Sequence, residues 1–426
     1  MKNTITALVC LLLSSCVPLT TPTSDGSSQT TPKKLLYEDY SYEPNIKTVQ
    51  LTPRGNTLLP AVSRVGINTL RLIFDDLSEV ADNYQVKIVN CDKNWRPSGL
   101  NSLEYLTDYN EFNIVNYEFS FDTQTPYIHY TFDLPSIKRS GNYLLVVFRT
   151  ENVNDIVLTK RLMIVQPSVE VAPIASLTGL SNLSAFNQQI NFTINYPNYE
   201  IDNPLSNVSV VLRQNQRNDN SIIGLKPSFT REDIQQLEYR FFDHQNTFSA
   251  ANEFRFFDLR SIIYPGQNVQ SVNRSTVPPK ALIALDKPKT NLAYAQYNDN
   301  NGQYVIADQL NVNGQYTNVS FQLDTRRIDY TGAVYVFGEF TDWRLSDEYR
   351  MKYNREKVRY EKEILLKQGY YEYQYLIKSD STPYYIEGNH PQAENSYEIF
   401  VYYKPINERS DLLIGYYTTN RGVNNP

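Results

Sequence analysis

Few residues in this 426-residue chain combine the types and spacing that chemistry needs. Its three histidines, His129, His244 and His390, lie far apart, and none has a second histidine at ligand spacing. With one cysteine in the body of the chain there is no zinc pattern, so no metal centre is expected. A catalytic thiol would have to be Cys91, because Cys10 and Cys16 sit in or just after an apolar leader. A lone cysteine of this kind is expected to be a small buried hydrophobe. Neither a Gly-x-Ser-x-Gly elbow nor a Gly-rich phosphate loop is present. Paired carboxylates for glycosidic work would be Asp75 with Asp76, or Glu361 with Glu363, yet neighbouring acids on strands mostly lie on solvated faces. Residues 298–302, Asn-Asp-Asn-Asn-Gly, have calcium-ligand chemistry without calcium-loop spacing, and a hairpin tip is the expectation. No catalytic set, cofactor or metal is expected, and the chain is read as a non-enzyme.

Stepping outward to what the chain builds, 34 Tyr and 19 Phe against 3 Met and 2 Trp favour strands, since aromatic side chains fit a pleated, half-buried surface. The net charge of −6 is mild and speaks against nucleic acid as a partner. Lys2, an apolar run over 5–13 and Leu13-Ser14-Ser15-Cys16 resemble a bacterial lipobox. Such a box implies removal of residues 1–15, acylation of Cys16 and retention on a membrane by lipid. The following Ser/Thr/Pro-rich residues, taken as 16–36, have too little apolar content to pack and read as a tether.

Short apolar runs bounded by turn signals predict an all-β chain of tandem immunoglobulin-like sandwiches. Strand-like runs over 68–74, 84–89, 127–132, 143–148 and 158–165 define a first module at 37–166. A second module is placed at 167–325, with strands at 189–195, 208–213 and 239–242, and Asn301-Gly302 and Asn313-Gly314 as hairpin signals. A third is placed at 326–404, with strands at 334–337, 360–365, 371–377 and 397–403. The tail, 405–426, holds an apolar run, 412–417, able to add an edge strand.

Within the third module, Val336-Phe337-Gly338-Glu339-Phe340-Thr341-Asp342-Trp343 and Gly369-Tyr370-Tyr371-Glu372-Tyr373-Gln374-Tyr375 resemble glycogen- and starch-binding modules. That resemblance implies sugar stacking on Trp343, with Tyr360 as the later aromatic, and supplies an alternative reading as a lipid-anchored glycan-binding protein.

The long connection over 90–130, inserted between strands of the first module, is well beyond ordinary loop length. Its Cys91-Asp92-x-Asn94-Trp95-x-Pro97-Ser98, Glu104-Tyr105-Leu106, Ser120-Phe121 and Tyr127-x-His129-Tyr130, with Ser140-Gly141-Asn142-Tyr143 and Asn252-Glu253-Phe254-Arg255-Phe256-Phe257-Asp258 farther on, resemble the plug protein of the type IX secretion system. The resemblance implies a non-enzymatic periplasmic subunit, lipid-anchored to the outer membrane, that closes the periplasmic end of the translocon β-barrel. Trp95, Tyr105, Tyr109 and Tyr117 are the expected contact anchors, with core packing as the competing role for each.

Overall fold

The computed structural model describes residues 33–150, 152–174, 186–307, 312–325, 330, 332–378 and 383–421. Cys16, the leader and the tether as far as residue 32 lie outside them. Among the described residues the structure is a set of β-sheets, with one short α-helix at Pro204–Asn207.

In the first sandwich, one sheet runs in the spatial order Tyr40–Ser41, Asn152–Val165, Gly141–Arg149, Tyr84–Cys91 and Phe112–Asn113. The facing sheet runs Ile46–Pro53, Leu70–Asp76, Ile128–Asp133 and Asn116–Phe119. Alternation explains the core: Tyr84, Val86 and Ile88 point inward from one strand to meet Leu72, Phe74 and Tyr130 from the other sheet. Gly141–Arg149 is buried on both faces, because Leu144 and Val146 on its outer side are covered by Leu35, Tyr37 and Trp95. Lys33–Leu36 therefore do not belong to a tether. Lys33 bonds Asp155 (2.7 Å), and the Leu36 N–H donates to the Tyr42 hydroxyl (2.8 Å).

The two later modules do not divide where the sequence suggested. Asn395–Tyr403 pairs along its length with Val208–Gln214, and Leu412–Arg421 pairs with Asn395–Tyr403 as the sheet edge. This sheet packs on Glu170–Ile174, Asn191–Asn195 and Gln236–Tyr239, so the second core gathers Phe192, Val210 and Tyr239 with Tyr397, Ile399 and Val401. The boundaries read at 325/326 and 404/405 are corrected accordingly, since the final strands complete the second sandwich. The third sandwich is inserted within the second. Its sheets are Val269–Asn273, Lys280–Ile283, Tyr316–Asp324, Arg359–Lys367 and Lys352–Asn354 on one side. Arg255–Asp258, Tyr304–Ile306 and Val334–Phe337 all pair with Gly369–Ile377 on the other. Phe257, Phe321, Tyr371 and Tyr373 fill the space between.

Buried polar contacts fasten the three sandwiches together. Between the first and third, the fully buried Asp75 carboxylate accepts from Lys367 Nζ (2.8 Å) and the Tyr316 hydroxyl (2.6 Å), with His129 Nδ1 at 2.7 Å. The Lys367 ammonium also lies 4.1 Å from the Tyr127 ring centroid. Around this buried centre, Lys160–Asp342 (3.0 Å) and Arg344–Glu38 (2.9 Å) close the same junction. The first and second sandwiches share an apolar seam of Met163, Val165, Val211, Phe400, Tyr402 and Leu413, and the Tyr402 hydroxyl donates to Asn142 Oδ1 (2.7 Å). Between the second and third, Arg217 donates to the Tyr384 hydroxyl (2.8 Å) and lies over the Phe337 and Trp343 rings.

Two outcomes follow for stability. Lys367→Met leaves a buried carboxylate short of its cation and is expected to cost about 3–5 kcal/mol in urea unfolding. The pH profile has two limbs. Burial pushes the Asp75 carboxyl up, but Lys367 and His129 more than reverse this, leaving it below the usual range. Its contribution is present at neutral pH and lost only as pH falls through that lowered value. In the third sandwich burial pushes Asp299 and Glu339 up to about 7, and Glu372, also facing Asp299, to about 8. Their contribution is full below the ordinary carboxylate range and is lost as pH rises through those values. Urea midpoints across pH should therefore peak on the mildly acidic side, and Glu372→Gln should flatten the alkaline decline.

Candidate functional site in the connection over residues 90–130

Groups with chemical potential are mostly committed to packing. The Cys91 thiol is fully buried and pushed up to about 12, by burial first and by Asp92 second, so it is a poor nucleophile. Asp76 accepts from Asn45 (2.7 Å), Ser78 (2.6 Å) and the Tyr84 hydroxyl (2.7 Å). Glu361 bonds Arg359 (2.7 Å) and Asn354 (2.9 Å), and Glu363 lies 3.3 Å from Lys280. Among the described residues no three His, Cys, Asp or Glu side chains are grouped to hold a metal ion. In the 298–302 stretch, Asp299 accepts from the Phe254 and Asn301 N–H groups (2.6 and 2.9 Å), and Glu372 accepts from the Gly302 N–H (2.9 Å). Those carboxylates fold the loop.

The glycan-stacking positions are likewise occupied. Tyr360 is buried in the third core, its ring centroid 5.0 Å from that of Tyr353 and 6.0 Å from that of Tyr330. Trp343 packs against Phe337 and Phe254 at centroid distances of 5.3 and 6.0 Å, with the Arg217 guanidinium 5.3 Å from its ring. A Cβ on Gly302 would come within 2.5 Å of its indole. Platform stacking needs an open ring face, so both residues are reassigned to packing. A separate cleft of about 800 Å³ between the second and third sandwiches is lined by Phe186, Tyr384, Tyr385, His390 and Pro391 among others, with no carboxylate among its described lining residues.

The connection over 90–130 is a brace with an exposed middle. At its start, the Asp92 carboxylate accepts from the N–H groups of Asn94 and Arg96 (both 2.8 Å), a turn that holds Trp95 at φ 61°. The indole is half-buried against the seam with the second sandwich, under the Arg161 guanidinium at 4.5 Å. Lys93 N–H donates to Asp411 (2.9 Å), fixing the same turn to the far end of the chain. Next comes the single turn Ser102–Glu104, closed by a capping box from Asn101. It drives Tyr105 and Leu106 into the first core, where the Tyr105 hydroxyl donates to the Ile88 carbonyl (2.9 Å).

Beyond Leu106 the chain turns outward. It contributes Phe112–Asn113 to one sheet and Asn116–Phe119 to the other, wrapping the open side of the sandwich. Tyr109 is 75 % exposed and Tyr117 45 %; Val115, Phe119 and Phe121 are exposed as well. The final part docks on the third sandwich: Phe121 N–H donates to the Val312 carbonyl (3.0 Å), and Gln315 accepts from the Gln124 N–H (2.8 Å) and donates to the Asp122 carbonyl (2.7 Å).

Of the four expected contact anchors, the structure thus separates two from two. Tyr105 is a core residue and Trp95 a packing residue at a seam, so neither presents a contact surface; Tyr109 and Tyr117 are exposed. Sequence reasoning missed Val115, Phe119 and Phe121. The two-residue spacing of Tyr117 and Phe119 on a strand was the available signal, since it puts both on one face. By this division, Trp95→Ala should lower stability by about 2–3 kcal/mol, whereas Tyr109→Ala should stay within about 0.5 kcal/mol of wild type in the same urea titration.

No curated protein matches the chain in sequence. A crystal structure of a hypothetical protein from Parabacteroides merdae ATCC 43184 superposes with a TM-score of 0.85 at 28 % identity, covering 91 % of this chain and 100 % of that one. The family model described as "Type 9 secretion system plug protein 1st domain" matches residues 46–166, which hold nearly the whole first sandwich and all of the connection. Over residues 46–166 the chain is thus similar to the first domain of type 9 secretion system plug proteins.

Proposed function

We propose that this chain is a non-enzymatic subunit that binds the type IX secretion outer-membrane translocon β-barrel and closes its periplasmic opening when no substrate is passing. The family of its first domain supplies the association with secretion. The observation that carries the plugging role is mechanical: buried contacts of Asp75 with Lys367 and Tyr316 join the first and third sandwiches, while an apolar seam and Arg217 tie the second to both. An obstruction of that kind needs little ordering when it docks, which favours binding. Its release is then set by relative affinity, through a competing partner or a change in the channel that binds the plug less well. Tyr109 and Tyr117 are the contact anchors of this reading. A lipid on Cys16, in the inner leaflet of the outer membrane, holds the subunit on the periplasmic side and raises its concentration near the opening.

Capture of a tagged full-length chain from outer membranes in mild detergent is expected to recover a very large β-barrel subunit. An accessible tag with no such barrel counts against the plug. In parallel, Cys16→Ala should move the chain from the membrane pellet to the soluble periplasmic fraction. Unchanged pelleting would remove the acyl anchor from the account.

A further inference from the structure

The strand Asn116–Phe119 has an edge that pairs with no other strand among the described residues. It pairs with Ile128–Asp133 on one side, is terminal in its sheet, and exposes all four of its residues. Edge strands are ordinarily blunted by shortness, charged side chains (Lys above all), Pro, bulges or a covering segment, because their unpaired N–H and C=O groups recruit other strands; this one is four residues long and carries Glu118. Residues 101–125 contain no Lys, no Arg and no Pro. In their place Tyr117 and Phe119 project on one face with ring centroids 6.0 Å apart, flanked by Val115 and Phe121, which are 73 % and 75 % exposed.

This edge is held ready. The Ile114 N–H donates to the Tyr84 carbonyl (2.9 Å) before it, and the Ser120 and Phe121 N–H groups donate to Tyr127 (2.8 Å) and Val312 (3.0 Å) after it. The Tyr117 ring is backed by Tyr130, 5.6 Å away. A strand fixed at both ends loses little freedom on pairing. Its surroundings are acidic. Glu104 and Glu111 are neutralised by Arg409 and Lys87, whereas Asp108, Glu118 and Asp122 have no ion-pair partner among the described residues.

We propose that the Asn116–Phe119 edge takes up an extended segment of the translocon by β-strand addition, and that this segment carries apolar side chains on one face beside Lys or Arg. The partner's identity rests on the function proposed above; the mode of binding rests on the edge itself. Backbone hydrogen bonds supply affinity, the Tyr117–Phe119 face selects apolar side chains at alternate positions, and the three carboxylates favour a basic approach. The same carboxylates disfavour a second copy of this chain, whose edge would bring like charge against like.

A photo-crosslinking phenylalanine analogue at position 117, and separately at 119, in the full chain in outer membranes tests this. Both are expected to crosslink one segment of the barrel, at sites about two residues apart, as strand pairing requires. Barrel co-capture without crosslinks from either position, or crosslinks scattered over unrelated segments, overturns the edge proposal and leaves the plug standing. Wild-type chain that recovers no barrel overturns the plug, and the partner named here with it. The variant Tyr117→Lys/Phe119→Lys, changed at exposed positions, should keep its urea midpoint and lose at least about tenfold in barrel capture. Undiminished capture sinks the proposal, as does a concentration-dependent dimer of the purified chain that this variant abolishes. Glu118→Lys/Asp122→Lys should weaken capture at low salt, with the difference shrinking as salt screens it; equal capture at low salt removes the basic character assigned to the segment.

Discussion

A single carboxylate with no access to water lies at the junction of the first and third sandwiches. Asp75 lies mid-sheet in the first sandwich, but two of its partners, Lys367 and Tyr316, belong to the third. Moving an anion out of water is costly, and the cost is met only when attraction and hydrogen bonds are supplied with good geometry. Separation of the two sandwiches would strand both Asp75 and Lys367. The junction is therefore costly to open, and the outlying pairs Lys160–Asp342 and Arg344–Glu38 reinforce it from shallower positions.

The connection over 90–130 serves that arrangement at both ends. Its first turn is stitched to the second sandwich through Lys93 and Trp95, and its last residues meet the third through Phe121, Gln124 and Tyr127. Only the middle is left to face outward. The segment that carries the resemblance in sequence is thus largely structural at its termini, and its exposed aromatic side chains gather at the sandwich edge.

Much of the fold was legible in the sequence because strands announce themselves locally. Runs such as 84–89 and 371–377 alternate or run apolar between turns, and both are strands within a residue or two of expectation. The 239–242 run was not: the strand is Gln236–Tyr239, and Phe242 is exposed. Partnership was harder to read. The 397–403 pattern is the same whether it zips onto a neighbour or onto Val208–Gln214, nearly two hundred residues earlier in the chain, so the insertion of one sandwich within another left no local trace. The site was half legible for a similar reason. Tyr105 and Tyr109 are the same residue type four positions apart in a connection without periodicity. Only the capping turn at Ser102–Glu104, which aims one inward, distinguishes them.

The insertion also bears on how the chain comes to be made. A ribosome delivers Val208–Gln214 long before Asn395–Tyr403, the strand it must lie against, and Leu412–Arg421 comes later still. Until Asn395–Tyr403 emerges, Val208–Gln214 lacks that sheet neighbour, and the second core lacks Tyr397, Ile399 and Val401. Such delayed, long-range pairing leaves apolar surface and strand edges open to misassociation. A chain cut short before Asn395 would therefore carry an unpaired strand edge at Val208–Gln214 and an unfinished core.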